Sequence, residues 1–234
     1  MRMGMNRARA LAAILFLAPV SLVHQTASAQ RGNAIDTLAA QMNEAGQTGH
    51  AAEGLALAQK LEGLVRRQQG TDNMNYAGVL HNEGMFLQNL GRYQEAVEKL
   101  NAALAIKLRN KDAASTLRTS HILVASLAML DRRAEASVVA ERALAIGTQA
   151  FGPDDVRLAG TLGALGELAR DQENYKDAER YFERALEALR KSPVAAPHEV
   201  ATAMDDLGDL YGLQGRFDDG ERLLQQSLKL LEQT

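Results

Sequence analysis

The sequence predicts an all-α, right-handed solenoid of about five helix-turn-helix repeats, and three observations carry that reading. A short pattern opens five times, at Gly49, Gly91, Asp131, Glu173 and Gly215, in steps of 42, 40, 42 and 42 residues. Each copy has a ring, Ala or Arg two places on and Ala or Gly five places on. A fixed period of this length marks units that bury their apolar face only by stacking on one another. The third observation is compositional: aromatics make up 4% of the chain while Ala, Leu and Gly dominate, which suits close-packed helices and works against strands.

Residues 1–29 stand apart from the repeats. Arg2, Arg7 and Arg9 precede an apolar run from Ala10 to Val23, followed by Ala27-Ser28-Ala29. This is the pattern of a cleavable signal peptide with cleavage expected before Gln30. The run of 14 residues falls short of the roughly 20 that a membrane-spanning helix needs. A periplasmic or secreted bacterial protein is therefore expected, with no membrane insertion after cleavage. Beyond residue 29 the chain carries 29 acidic and 23 basic residues, a net charge of −6, so nucleic acid and anionic lipid are not expected partners. With no cysteine, an exported chain must rely on packing alone.

Residues 30–234 read as a single solenoid domain, because no connector is long enough to be a linker. The repeats are expected at about 34–74, 76–111, 116–151, 155–192 and 197–232. With each opening residue set at position 15 of its unit, positions 4, 8 and 11 fall on one face of a first helix, A. In the first unit these are Leu38, Met42 and Ala45; in the second, Leu80, Gly84 and Leu87. The third unit supplies Ser120, Val124 and Leu127, the fourth Leu162, Gly166 and Ala169, and the fifth Met204, Gly208 and Tyr211. Positions 17, 20, 24 and 27 define a second helix, B, most clearly as Tyr93, Ala96, Leu100 and Ala103 and again as Tyr175, Ala178, Phe182 and Ala185. Phe217, Gly220, Leu224 and Ser227 repeat the spacing. Pro153 and Pro197 are placed to start helices. The single 40-residue step leads into the third unit, where the register is expected to be least regular.

Small residues at positions 8 and 20, a ring at 17, a large residue at 24 and Ala at 27 resemble the tetratricopeptide repeat (TPR). The 42-residue period, with Ala143-Leu144-Ala145-Ile146 and Phe151-Gly152-Pro153-Asp154-Asp155, is similar to its kinesin-light-chain subtype. The resemblance covers about residues 34 to 232 and implies recognition of an extended peptide through polar groups at positions 5 and 6. His81-Asn82 comes near that pattern; Ala39-Ala40, His121-Ile122, Gly163-Ala164 and Asp205-Asp206 depart from it. The Lys and Asn groups by which some such domains hold a C-terminal carboxylate are absent, so an acidic C-terminal peptide is not expected.

Helical spacing assigns the concave stripe to positions 2, 5, 6, 9, 12 and 13 of helix A. The expected protein-binding residues are His81, Asn82, Met85, Gln88, Arg118, His121, Gly163, Glu167, Asp171, Asp205 and Asp209. They grade from amide, imidazole and thioether groups to carboxylates, a pattern that would orient a partner with a basic end. Gly160 and Gly163 are expected to leave a recess in the groove floor. His81 and His121 share position 5 in adjacent units, but no third ligand has coordinating spacing, so no metal is expected. No cysteine nucleophile, H-E-x-x-H, G-x-S-x-G or phosphate loop is present, and neither catalysis nor a cofactor is expected. The reading is an exported, non-catalytic scaffold binding a partner segment in its groove. Its alternative is a regulatory or assembly module acting through an uncapped last helix, with Leu223 and Leu230 as the interface for a homodimer or a separate effector domain.

Overall fold

The structure, a computed structural model, describes residues 20–233, with side chains over 34–233. Ten α-helices follow in order: α1 (Val20–Gln47), α2 (Ala51–Gln69), α3 (Met74–Asn89), α4 (Tyr93–Arg109), α5 (Ala113–Met129), α6 (Arg133–Phe151), α7 (Ala159–Asp171), α8 (Tyr175–Lys191), α9 (Pro197–Leu213) and α10 (Phe217–Glu232). Odd-numbered helices are the A helices and even-numbered ones the B helices. Each packs on its sequence neighbours, and α3, α5, α7 and α9 also meet one another in series. Of the expected signal peptide, residues 1–19 lie outside the described residues and 20–29 form the start of α1.

The repeating pattern has a conformational origin. Helices A and B of every unit are joined by three residues, and the middle one is the residue that opens the pattern. Gly49, Gly91, Asp131, Glu173 and Gly215 all have positive φ, between 59° and 77°. The turn closes the end of helix A with two hydrogen bonds: the Gly91 N–H donates to the Gln88 carbonyl and the Arg92 N–H to the Leu87 carbonyl, both at 2.9 Å. Glu173 and Asn174 repeat the arrangement on Arg170 and Ala169. A left-handed residue in this place satisfies carbonyls that the helix end would leave open.

The 40-residue step is a substitution of one turn for another. Between α4 and α5 the chain uses a three-residue turn of the same kind, with Lys111 at φ 54° and the Asp112 N–H donating to the Lys107 carbonyl. Unit three is thus joined by the more uniform geometry, contrary to the expected irregularity. The larger departure comes one unit later, where a 3-10 turn over Val156–Leu158 precedes α7, a helix of 13 residues. Pro197 does begin α9, whereas Pro153 lies in the turn before Asp155, whose side chain caps the 3-10 turn.

Glycine at position 8 sets how closely helix A meets helix B. A Cβ on Gly84 would lie 2.5 Å from Leu100, one on Gly166 2.5 Å from Phe182, and one on Gly208 3.2 Å from Leu224. In these units a large side chain at position 24 lies over a bare backbone at position 8. Units one and three reverse the sizes, with Met42 and Val124 at position 8 and Ala58 and Ala140 at position 24, all four buried in one core cluster. Interiors conserve packed volume, so either arrangement fills the same space.

The last helix corrects one expectation. Leu223 is only 9% exposed and belongs to the core with Leu207 and Tyr211, and Leu230 is half-buried. The exposed apolar residues of α10 are instead Phe217, Leu224, Leu228 and Leu231. The register error is one residue, which on a helix turns a side chain by about 100°.

Size exchange between positions 8 and 24 is testable in the fourth unit. Gly166→Val and Phe182→Ala are each expected to lower unfolding free energy by about 3 kcal/mol, from overpacking and from a cavity respectively. The double variant copies the Val124/Ala140 pair and should lose clearly less than the sum in denaturant titrations. Simple additivity would show that the two positions do not share one space.

Candidate functional site

The A helices line a continuous concave face with three adjoining hollows. The first, of about 600 Å³, lies between α1, α2 and α3 and is lined by Asp36, Met42, Gln69, Asn75 and Asn82 among others. The second, of about 450 Å³, is lined by His81, Arg118, His121, Ile122, Arg157 and Gly160 with neighbouring residues. The third, of about 530 Å³, runs across α5, α7 and α9 past His121, Gly160, Gly163, Glu167, Asp171, His198, Glu199 and Asp206. His121 and Gly160 belong to both the second and the third, so the two are one groove.

Seven of the eleven residues assigned to the groove from sequence line it: His81, Asn82, Arg118, His121, Gly163, Glu167 and Asp171. Four do not. Met85 turns toward Gly46 at the end of α1 and packs on the core. Gln88 is half-buried outside the hollows. Asp205 and Asp209 are not in the lining of these hollows, although helical spacing puts them on the same face of α9 as Thr202 and Asp206, which are. A Cβ at Gly163 would meet nothing within 4 Å, whereas one at Gly160 would touch the His121 ring at 3.5 Å.

His81 is not the solvated imidazole that its stripe position suggests. Its Nδ1 lies 3.1 Å from Thr119 Oγ1, and burial, reinforced by the positive charges of Lys107 and Arg118, pushes its pKa down to about 4. Thr119 Oγ1 also accepts from Lys107 Nζ at 2.6 Å and lies 2.9 Å from the Ser115 carbonyl. Lys107 is 4% exposed, and burial first, then Arg118, lowers its pKa to about 8. These side chains come from α3, α4 and α5, and sequence reasoning found only His81 and Arg118 among them. The available signal was a polar run, Ser115, Thr116, Thr119 and Ser120, on a buried face of α5, with Ser120 at a position where the other units carry Leu or Met.

At the other end, burial raises the Asp206 pKa to about 6, helped by repulsion from Glu167, Asp205 and Asp209 and opposed by Arg170. The two groove segments therefore differ in sign: the guanidinium groups of Arg118 and Arg157 in one, carboxylates in the other. Among the described residues no three groups could hold a metal ion.

A second polar cluster lies away from the groove. Glu83 is fully buried, with Oε2 2.6 Å from Lys99 Nζ, and Lys99 also reaches Glu62 at 3.0 Å. The Tyr76 hydroxyl donates to Glu62 at 2.7 Å. Burial pushes the Glu83 pKa up to about 7 despite Lys99. The cluster fastens α2, α3 and α4 together.

Models of the tetratricopeptide repeat match residues 77–110, 112–191 and 200–234. No curated protein matches the chain. Among solved structures the chain is similar to BtubC (BKLC) from P. vanneervenii, with a TM-score of 0.75 at 17% identity over 91% of this chain and 85% of that one. It is also similar to a putative kinesin light chain of Podosopora anserina with nearly identical TPR-like repeats, with a TM-score of 0.67 at 17% identity over 85% and 95% of the two chains. A Rap protein in complex with competence and sporulation factor gives 0.68 at 14% identity, over 81% of this chain and 52% of that one. At these identities the likeness is one of fold.

Glu83 and His81 oppose one another in acid. Glu83, with its folded pKa raised, contributes stability that is present below about pH 4.5 and is lost as pH rises through 7. His81, with its folded pKa depressed, contributes stability that is present above about 6.5 and is lost as pH falls through 4. Glu83→Gln should therefore leave a profile in which stability rises more steeply between pH 4.5 and 6.5 than in the parent, measured by denaturant titration at each pH. An unchanged slope would contradict the raised Glu83 pKa.

Proposed function

This chain belongs to the tetratricopeptide-repeat proteins, and we propose that it is an exported, non-catalytic scaffold that holds an extended partner segment in its concave groove. The family and fold support a protein–protein interaction scaffold. The observation that carries the groove is the shared hollow across α5, α7 and α9, whose floor at Gly163 lacks a side chain. The Rap protein of similar fold was solved in complex with competence and sporulation factor, which supports a bound partner for this fold.

The groove's acid end, with Glu167, Asp171 and Asp206, favours a basic group on the partner. A cation beside Asp206 would offset its repulsion from Glu167 and lower its raised pKa. Export rests on the pattern of residues 1–29. Cleavage before Gln30 would leave in place Ile35 and Leu38 of α1, which pack on the core. N-terminal sequencing of chain recovered from the extracytoplasmic fraction should begin at Gln30.

The groove reading is tested by Gly163→Leu, which adds a side chain where there is open space. Photo-crosslinking from a probe at Ala128 should trap a partner with the parent chain, and the leucine variant should lose at least nine-tenths of that product without a change in thermal unfolding. Undiminished crosslinking would place the partner elsewhere.

A second reading is favoured by α10, where Phe217 is 71% and Leu228 60% exposed. Here the helix is a docking or self-association surface. Leu228→Glu should then convert a concentration-dependent dimer to monomer in native mass measurements; a monomer at all concentrations in the parent excludes self-association.

A further inference from the structure

The hollow lined by His81, Arg118, His121 and Arg157 contains no carboxylate in its lining, and its cations are unequally satisfied. Arg157 is paired with Asp155, 2.7 Å away, and lies over the Phe151 ring. The Arg118 guanidinium, by contrast, donates to Ser115 Oγ at 2.9 Å and makes no ion pair among the described residues. Behind the hollow, the buried Lys107 ammonium donates to the Thr119 hydroxyl, its one hydrogen-bond partner among the described residues. Asp112 acts on both cations but accepts the Ser115 N–H as the cap of α5. Burying the ammonium is costly, Asp112 offsets that only in part, and Arg118 beside it adds repulsion.

Charge of the opposite sign lies in the adjoining hollow. From the α3–α5 pair to the α7–α9 pair is two helix spacings of about 8–10 Å each, or roughly 16–20 Å. An extended chain covers that distance in about five or six residues.

We propose that the His81–Arg118 hollow seats a carboxylate of the bound segment, so that the groove selects a peptide with an acidic and a basic group about five or six residues apart. This rests on the groove reading above and adds to it the charge pattern of the partner. The carboxylate pairs with the Arg118 guanidinium, and the basic group meets Asp206 and Glu167. Clamp residues of the usual kind are absent from the sequence, and the anion seat is lined by Arg118 and two histidines instead, with Lys107 behind it.

The test is selection of random twelve-residue displayed peptides on the full chain, followed by affinities of amidated synthetic copies. Selected peptides should carry Asp or Glu five or six residues from Lys or Arg. Changing the acid to its amide should weaken binding to the parent about tenfold, the scale of a charge-assisted hydrogen bond. The same change should have no effect on Arg118→Ala, or on Arg118→Gln should the first variant fold poorly. The basic group should matter to both of those variants and cease to matter in Asp206→Asn. A peptide whose free C-terminus replaces the acidic side chain distinguishes chain ends from side chains; Arg118-dependent binding of either form supports the proposal. Peptides that Gly163→Leu blocks but that show no acid preference, or an amide effect undiminished in both Arg118 variants, would overturn it while leaving the groove intact. Failure to select any peptide would overturn the groove reading as well.

Discussion

The close approach of each A helix to its B helix is the constraint from which the rest of the molecule follows. A glycine at position 8 lets Leu100 or Phe182 lie against backbone, and the left-handed residue at the turn directs helix B back at the angle that makes this contact. Repeating that hairpin leaves the other flank of the A helices facing inward. The groove is thus a by-product of packing, which is why it runs through every unit and why its chemistry is free to vary along its length.

Buried polar groups then differentiate units that packing alone would make equivalent. Glu83, Lys99, Glu62 and Tyr76 tie α2, α3 and α4 together on one side. On the other, Thr119 gathers His81 and Lys107 beneath the groove floor. Replacing such groups by apolar ones is often neutral or stabilising, so their presence is not explained by stability. Arg118 and Arg157 give the His81 end of the groove a positive wall, while Glu167 and Asp206 give the other end a negative one. A segment lying across both would have its position along the groove, as well as its affinity, set by charge.

Much of the fold was legible because its strictest demands leave residues behind. Positive φ selects glycine at three of the five turns, and a 2.5 Å approach selects glycine at Gly84 and Gly166. Where the demand is met by an ordinary residue, the signal vanishes. Lys111 adopts a left-handed turn with nothing in its type to announce it, so the 40-residue step looked like irregularity. The site was less legible, because helical spacing assigns a stripe but not the flank of the stripe that faces the next unit. Asp206 lines the hollow while Asp205 and Asp209, on the same face of α9, do not, and a one-residue shift separates buried Leu223 from exposed Leu224. Lys107 and Thr119 come from different helices and meet only after stacking. No single-helix pattern could have joined them to His81.

Amide chemical-shift mapping of a bound peptide tests most directly whether the concave face is the working surface. Titrating a selected peptide into the labelled chain should shift the amides of His121, Gly160, Gly163 and Asp206 together, with one affinity, and leave Phe217 and Leu228 of α10 in place. Shifts confined to α10, with the amides of α5, α7 and α9 unmoved, would contradict it.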